Sequence, residues 1–527
     1  MDRRSAITAG LTLAAAGTAA AQDRSLHTAN NGQTAWERAA RVTVVQESYL
    51  PGDVRRYGAL GDGFTDDSAA WRAALAAGHR VLGGGVEQVY CLDQLVPVVR
   101  TTLIDLQGAT IKPRGDALAF VRTAPQPAVT TPVIRGASQG SRSLIVQSPA
   151  GLQVGQWSRL ILNDYPTHDV SSYPPSWTRI AAVRGDTVDL ETALQITYGS
   201  GDLRLAAYDP GMLYERFECR NGTFDGSECT YDIATGQALR IGGVERVLVQ
   251  CCEFRDFRHD GSLTCAVELY QNIDVLLCQC RFTNGISHFD MCDIQESRFA
   301  HFVDNQLDGS HFGCNITRVD SALCANNSFQ GRRTHEIATG APERSARGVK
   351  AYGCGAVRVL GNHSADYESP IKIDACFRYD VSHNTIFNSG IGPRYTGTVA
   401  LNVGSIIPGR NMRAGRIVGN LVECCGGIGI GVTSDVIGGI CIADNIVRNT
   451  QGRGIYVNAT NITISGNRIE DWGLRNLNEA AIHVTGAATV VDNRFSHSSL
   501  PRLPCLAGVD SHLLTRDNVS ETGNPVA

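Results

Sequence analysis

The 527-residue chain has no apolar run of membrane-spanning length, so no transmembrane helix is expected. It also has no basic excess: 47 Lys and Arg against 52 Asp and Glu leave a net charge of −5, which gives no general support for a nucleic-acid partner. Charged residues make up only 19% of the chain, while 56 glycines accompany 43% hydrophobic residues, a composition of strands and turns rather than helices. No Cys-x-x-Cys pair and no histidine-rich partner accompany the 17 cysteines, which argues against a metal centre. The odd count also argues against a complete disulfide framework. Several cysteines recur in register, with Cys292 and Cys314 22 apart and Cys354 and Cys376 likewise. Small apolar thiols stacked inside a repeating core are therefore expected.

What the sequence does have is a beat of asparagines: Asn305, Asn327, Asn362, Asn384, Asn420, Asn445, Asn467, Asn493 and Asn518, at intervals of 22, 35, 22, 36, 25, 22, 26 and 25. Most follow a short apolar strand and stand two places before an apolar residue, as in Ile-Ser-Gly-Asn467-Arg-Ile. Units this short cannot bury an apolar face alone and must stack on their neighbours. Asn accepts left-handed turns, and its amide can bond to the Asn in the next coil. The expected fold is all-β: a parallel β-helix of about eleven regular coils from residue 221 onward. Cys252 and Cys280 fall where later coils carry Asn.

The N-terminus, with Arg3-Arg4, an Ala/Leu stretch and an Ala-x-Ala site ending at Ala21, reads as an export signal over residues 1–21. It is similar to a twin-arginine signal, with Ala6 where Phe is usual. A periplasmic or secreted location follows, and passage in the folded state from a reducing compartment suits free thiols. Residues 22–50 read as a polar leader, and 51–527 as the β-helix domain. Within it, residues 125–210 lack the beat and read as an inserted β subdomain. Ser68–Ala77 is expected as a short helix, with Asp66 or Asp67 as N-cap and Gly78 as its stop.

The string Tyr57-Gly-Ala-Leu-Gly-Asp-Gly-Phe-Thr-Asp-Asp-Ser-Ala-Ala-Trp71 resembles the N-terminal signature of the pectate-lyase-like superfamily, which includes polysaccharide-degrading enzymes and phage tailspike depolymerases. The resemblance implies a right-handed β-helix with an N-terminal capping helix, and a polysaccharide partner. Asp62, Asp66 and Asp67 are expected in turns and caps rather than in chemistry.

Two long intervals in the beat mark residues 331–347 and 388–413 as loops leaving the coil, where function concentrates on a rigid scaffold. Between them, Val349-Lys350-Ala-Tyr352-Gly-Cys354 and Ile371-Lys372-Ile-Asp374-Ala-Cys376 match at a spacing of 22. Alternation points Lys350, Tyr352, Lys372 and Asp374 outward. A second ammonium about 5 Å away lowers a lysine's pKa, so one lysine can act as base. The other, or Arg378, can neutralise a uronate carboxylate, and Tyr352 can supply the acid. Residues 332–394 carry nine Lys/Arg against six Asp/Glu, which suits an acidic polysaccharide. The alternative is that these lysines form a solvated face.

Lyases of this fold, by the resemblance, use such a base, often with Arg or Ca²⁺ neutralising the carboxylate. A glycoside hydrolase would instead need paired carboxylates, for which Glu268, Asp290 and Asp374 are candidates; Asp293 is expected out of phase with Asp290. The polygalacturonase-type Asn-Thr-Asp and Asp-Asp cluster is missing. His288, His311 and Arg394 complete the candidate substrate contacts, and a histidine here can equally be structural. A non-catalytic glycan-binding or tailspike-like protein, monomeric or trimeric, is a further reading.

Overall fold

In the computed structural model, described for residues 32–163, 173–199, 201–230, 236–259, 265–287, 290–310, 312–331, 347–390, 398–404, 414–475, 479–498, 504–508 and 513–521, short parallel strands pair in register from coil to coil. Three long parallel sheets result, joined at the corners into a β-helix whose 38 strands are hydrogen-bonded as one system. A representative coil contributes Arg347–Tyr352 to one sheet, Ala356–Leu360 to the second and His363–Ala365 to the third. The next coil repeats them as Ile371–Asp374, Arg378–Ser382 and Thr385–Ser389. Alternate residues point inward, so the core is a column of buried Val, Ile, Leu, Phe and Cys. Phe224, Phe254 and Phe282 stack with ring centroids 5.1 and 4.9 Å apart.

The asparagine beat is a continuous hydrogen-bonded ladder at one corner. Asn305 donates its backbone N–H and its Nδ2 to Asn327 Oδ1, at 2.8 and 3.1 Å. The same pair of bonds repeats from Asn362 to Asn384, from Asn384 to Asn420, and on to Asn518. Each amide also donates to a strand carbonyl of the coil before, as Asn384 Nδ2 does to Val359 O at 2.9 Å. Cys280, in the position foreseen, starts the ladder by donating its N–H to Asn305 Oδ1. The left-handed backbone falls one place earlier than expected. Asp304, Asn326, Gly361, His383, Gly419, Asp444, Gly466, Asp492 and Asp517 take positive φ, and this turns the following Asn side chain into the core.

All 17 cysteines are free thiols and most are buried, with Cys292 paired directly beside Cys314. The helix Ser68–Ala77 covers the first coil through Trp71, Ala74 and Leu75. Asp67 occupies its N-cap position and accepts N–H bonds from Leu60 and Gly61. Asp66 bonds Ser68, and Asp62 accepts from Phe64 and Thr65, so all three carboxylates are used in turns. Gly78 stands at the C-cap directly after Ala77, as expected, with an extended rather than a left-handed backbone. Within the segment expected as a polar leader, a helix at Ala35–Ala40 places Glu37 in full burial against Arg56 and Tyr57. The export signal expected at residues 1–21 lies outside the described residues.

Six antiparallel strands between Val129 and Tyr208 close a small barrel with its own core of Leu144, Leu160, Ile180, Leu205 and neighbours. It sits against the corner that follows the Arg347–Tyr352 and Ile371–Asp374 strands, where Phe377 packs on Tyr173 with ring centroids 5.5 Å apart.

Replacing Asn384 by Ala removes the acceptor for two buried donors of Asn362. Urea unfolding is expected to show a loss of about 3 kcal/mol or more, from two orphaned N–H groups at roughly 1–3 kcal/mol each. A loss below about 1 kcal/mol would show that the ladder follows the coil register rather than fixing it.

Candidate functional site

Lys350 and Lys372 are direct partners on adjacent strands, and Tyr352 stands beside Asp374. Val349, Ala351, Ile371 and Ile373 are buried beneath them, so alternation is as the sequence implies. Lys350, Tyr352 and Lys372 are half-buried on the outer face, with Lys350 Nζ 5.9 Å from the Tyr352 ring centroid. Asp374 departs from expectation: it is only 1% exposed and receives Lys372 Nζ at 3.6 Å. Pro174 and Tyr173 of the barrel lie at the next corner, beside Gly355 and Phe377. Asp374 therefore orients Lys372 and is too enclosed to meet a polymer.

Burial pushes the Lys372 ammonium below its ordinary pKa, and the nearby Arg347 and Lys350 charges push the same way while Asp374 opposes them. The sequence assigned this shift to the second lysine alone. Burial is the larger cause, and Arg347 was not foreseen.

The register carries the column further along the helix. Glu268 pairs with Asp293, Asp293 with Asn315, and Asn315 with Lys350; beyond Lys372 follow Asn402, Gly431, Tyr456 and His483. Asp293, set aside on the sequence as out of phase, thus shares the column with the lysines. Asp290, preferred on the sequence, instead pairs with Phe312, and its side chain is not described. Glu268 is tied to Arg240 at 3.1 Å, and Asp293 accepts from Asn315 Nδ2 at 3.1 Å and from Gln295. Arg378 lies around the corner on the next sheet and donates to Gln195 of the barrel at 3.4 Å, away from the lysine column. His288, His311 and Arg394 lie outside the described residues, as does most of 331–347. The stretch 388–413 is not one loop, because Val399–Gly404 is a strand paired with Ile371–Asp374. Its own alternation, with buried Leu401 and Val403 flanking Asn402, was a readable signal.

The barrel forms a wall along the far edge of this face. Glu296 sits between Arg159 of the barrel, at 2.7 Å, and Arg318 of the coil, at 2.9 Å, and also accepts from Gln271 at 2.9 Å. Burial opposes ionisation, yet these two guanidiniums hold Glu296 below the usual carboxylate range. Trp177 Nε1 donates to Glu296 O. Asp320 accepts the Ser176 and Trp177 N–H groups at 2.6 and 2.7 Å. Burial nevertheless pushes Asp320 up to about 7.

No group of His, Cys, Asp or Glu able to hold a metal occurs among the described residues. A shallow cavity of about 500 Å³ lies instead near the N-terminal cap, lined by Asp93, Gln94, Arg114 and Asp116. Arg114 there is already paired with Asp93 and with Phe64 O, so the cavity offers little uncommitted chemistry.

No family model matches the chain, and no curated protein matches it in sequence. Among solved structures it is similar to the tailspike protein gp49 of Pseudomonas phage LKA1, at 14% identity over 90% of this chain and 84% of that one, with a TM-score of 0.42. PfbA, a surface adhesin of Streptococcus pneumoniae, aligns at 12% identity over 90% and 93%, with a TM-score of 0.44. An exopolygalacturonase of Thermotoga maritima aligns at 10% identity over 92% and 95%, with a TM-score of 0.31.

Asp320 yields a test of how the wall is attached. A carboxyl whose folded pKa is raised contributes stability below its unfolded pKa of 3.8 and loses it as pH rises through about 7. The melting temperature of the wild type relative to Asp320→Asn is therefore expected to fall steadily between about pH 4 and pH 7 and to level off above. A difference that grows with pH would mean that the two N–H bonds hold Asp320 ionised.

Proposed function

We propose that the chain is an exported enzyme that cleaves a uronic-acid-containing polysaccharide by β-elimination on the lysine face. The observation that carries this reading is the in-register pair Lys350 and Lys372, with Lys372 enclosed, flanked by Arg347 and oriented by Asp374.

A lysine serves as base only when neutral, and each influence that lowers the Lys372 pKa enlarges that fraction. Lys372 takes the proton on C5, next to the uronate carboxylate. Lys350 and Arg347 stabilise the negative charge that then develops on that carboxylate. The C4–O bond breaks, a C4=C5 double bond forms, and Tyr352 protonates the departing glycosidic oxygen. The Lys372 proton returns to water and Tyr352 is reprotonated, so the cycle closes without an external reductant or oxidant. Ca²⁺, which the family resemblance allows, does not fit beside Lys372: the charges next to it are Lys350 and Arg347, and Asp374 is committed to Lys372. Neutralisation falls to Lys350 and Arg347.

Hydrolysis is the second reading, favoured by one observation: Glu268 and Asp293 are direct partners on adjacent strands, about 4.8 Å apart along the axis, near the separation of a retaining pair. Both already carry partners in Arg240, Gln295 and Asn315, so neither carboxylate is uncommitted.

The purified protein is to be incubated with polygalacturonate, alginate, hyaluronan and neutral glucans while ultraviolet absorbance of the unsaturated uronate is followed. Absorbance should rise with an acidic polymer, and Lys372→Ala should reduce the rate by about 10²-fold or more, the usual share of a general base. The rate should increase with pH through an apparent pKa below the ordinary lysine value of about 10.4. New reducing ends without that absorbance would replace elimination by hydrolysis. Binding without cleavage of any polymer would make the face a glycan-binding platform.

A further inference from the structure

Continuing along the outer column from Lys372 toward the C-terminus, the residues change character. Asn402 comes first, half-buried and uncharged, with a buried Oδ1 that has no hydrogen-bond partner among the described residues. Gly431 follows and puts no side chain on the face. Then comes Tyr456, whose ring lies 5.6 Å from that of His483 and 4.9 Å from the Arg453 guanidinium, itself paired with Glu479. Tyr456, His483, Arg453 and Glu479 are all partly exposed. Burial, and after it Arg453, push the His483 pKa down, so the imidazole is neutral at neutral pH and adds a flat uncharged ring to the platform. In the opposite direction from the lysines, the column presents the carboxylates of Asp293 and Glu268.

We infer that Tyr456, with His483 and the Arg453–Glu479 pair, is a separate sugar-stacking subsite, and that an acidic glycan runs from the lysines toward the C-terminal coils. This rests on the reading of the lysine face as a polyuronate site. A polyanion extending the other way would meet two carboxylates. Extending toward Tyr456 it meets no carboxylate along the column: first the uncharged Asn402, then Gly431 with the Val399 side chain beside it, then rings able to pack against the apolar face of a pyranose. Three coil steps separate Lys372 from Tyr456, about 14 Å at ~4.8 Å per step. That span exceeds a disaccharide held at the lysines, so the subsite engages only longer chains.

Length dependence is therefore the test. In a Tyr352→Phe background, which keeps the ring but cannot donate the proton, titration calorimetry compares hexamers and disaccharides of galacturonate, mannuronate and glucuronate. Adding Tyr456→Ala should weaken hexamer binding by about tenfold, the loss of one aromatic contact, and leave the disaccharide unchanged. Tyr456→Phe should restore the hexamer affinity, which a merely folding-related effect of the Ala variant need not do; melting temperatures identify an unfolded variant. Equal weakening of both lengths, or of neither, overturns the subsite. If Lys350→Ala with Lys372→Ala leaves both affinities intact, the lysine reading falls while the length dependence at Tyr456 still reports on the subsite. No binding by any probe overturns both.

Discussion

The structure depends on one repeated interaction, an asparagine oxygen that takes both the backbone and the side-chain donor of the asparagine one coil away. Parallel strands in a solenoid can slide, because every coil offers nearly the same apolar partners and slippage by two residues keeps the inward set inward. The ladder removes this freedom. Each coil enters its corner through a left-handed residue and must present an Asn at one position, or two buried donors lose their acceptor. Rotation and register of every coil about the axis are then fixed from residue 280 to 518. The outer face inherits this order: Lys350 lies directly over Lys372 because Asn362 lies directly over Asn384.

A second constraint acts sideways. The barrel is a separate antiparallel core, and it meets the helix through a charged set, Arg159, Glu296, Arg318 and Asp320, with Trp177 spanning the junction. Buried ion pairs are poor sources of net stability but are demanding about geometry. Such a junction orients the barrel more than it strengthens the chain. The barrel is thereby held at the corner beside the strands that carry the lysines, where Tyr173 meets Phe377. An insertion more than 150 residues earlier in the chain is thus brought beside the lysine strands.

Much of this was readable. The asparagine spacing, the helix at Ser68–Ala77, the free stacked thiols and the alignment of Lys350 with Lys372 all follow from short-range pattern, because a solenoid turns sequence period into spatial adjacency. Three things were not readable, each for a physical reason. The burial of Asp374 depends on packing in three dimensions, which alternation along its own strand does not encode. Asp293 is out of phase with Asp290 as counted, but the sequence preferred Asp290, whereas pairing with Glu268 and Asn315 puts Asp293 in the lysine column. Tyr456 lies in a regular coil with no long interval near it, and attention to the interruptions in the beat passed it by. The left-handed residue was placed one position late because Asn tolerates that geometry, although here the residue before it supplies the turn.

The ladder has a consequence for how such a surface can change over generations. Since coils are admitted only in whole units that present an Asn at the corner, the outer face cannot be stretched by a fraction of a coil. Duplication or loss of a unit moves Tyr456 relative to Lys372 by one rung, and every position between keeps its lateral place. The spacing between two features on this face is therefore a discrete variable. Descendants of this scaffold would differ in the spacing of such features by whole rungs, while their local chemistry drifts residue by residue.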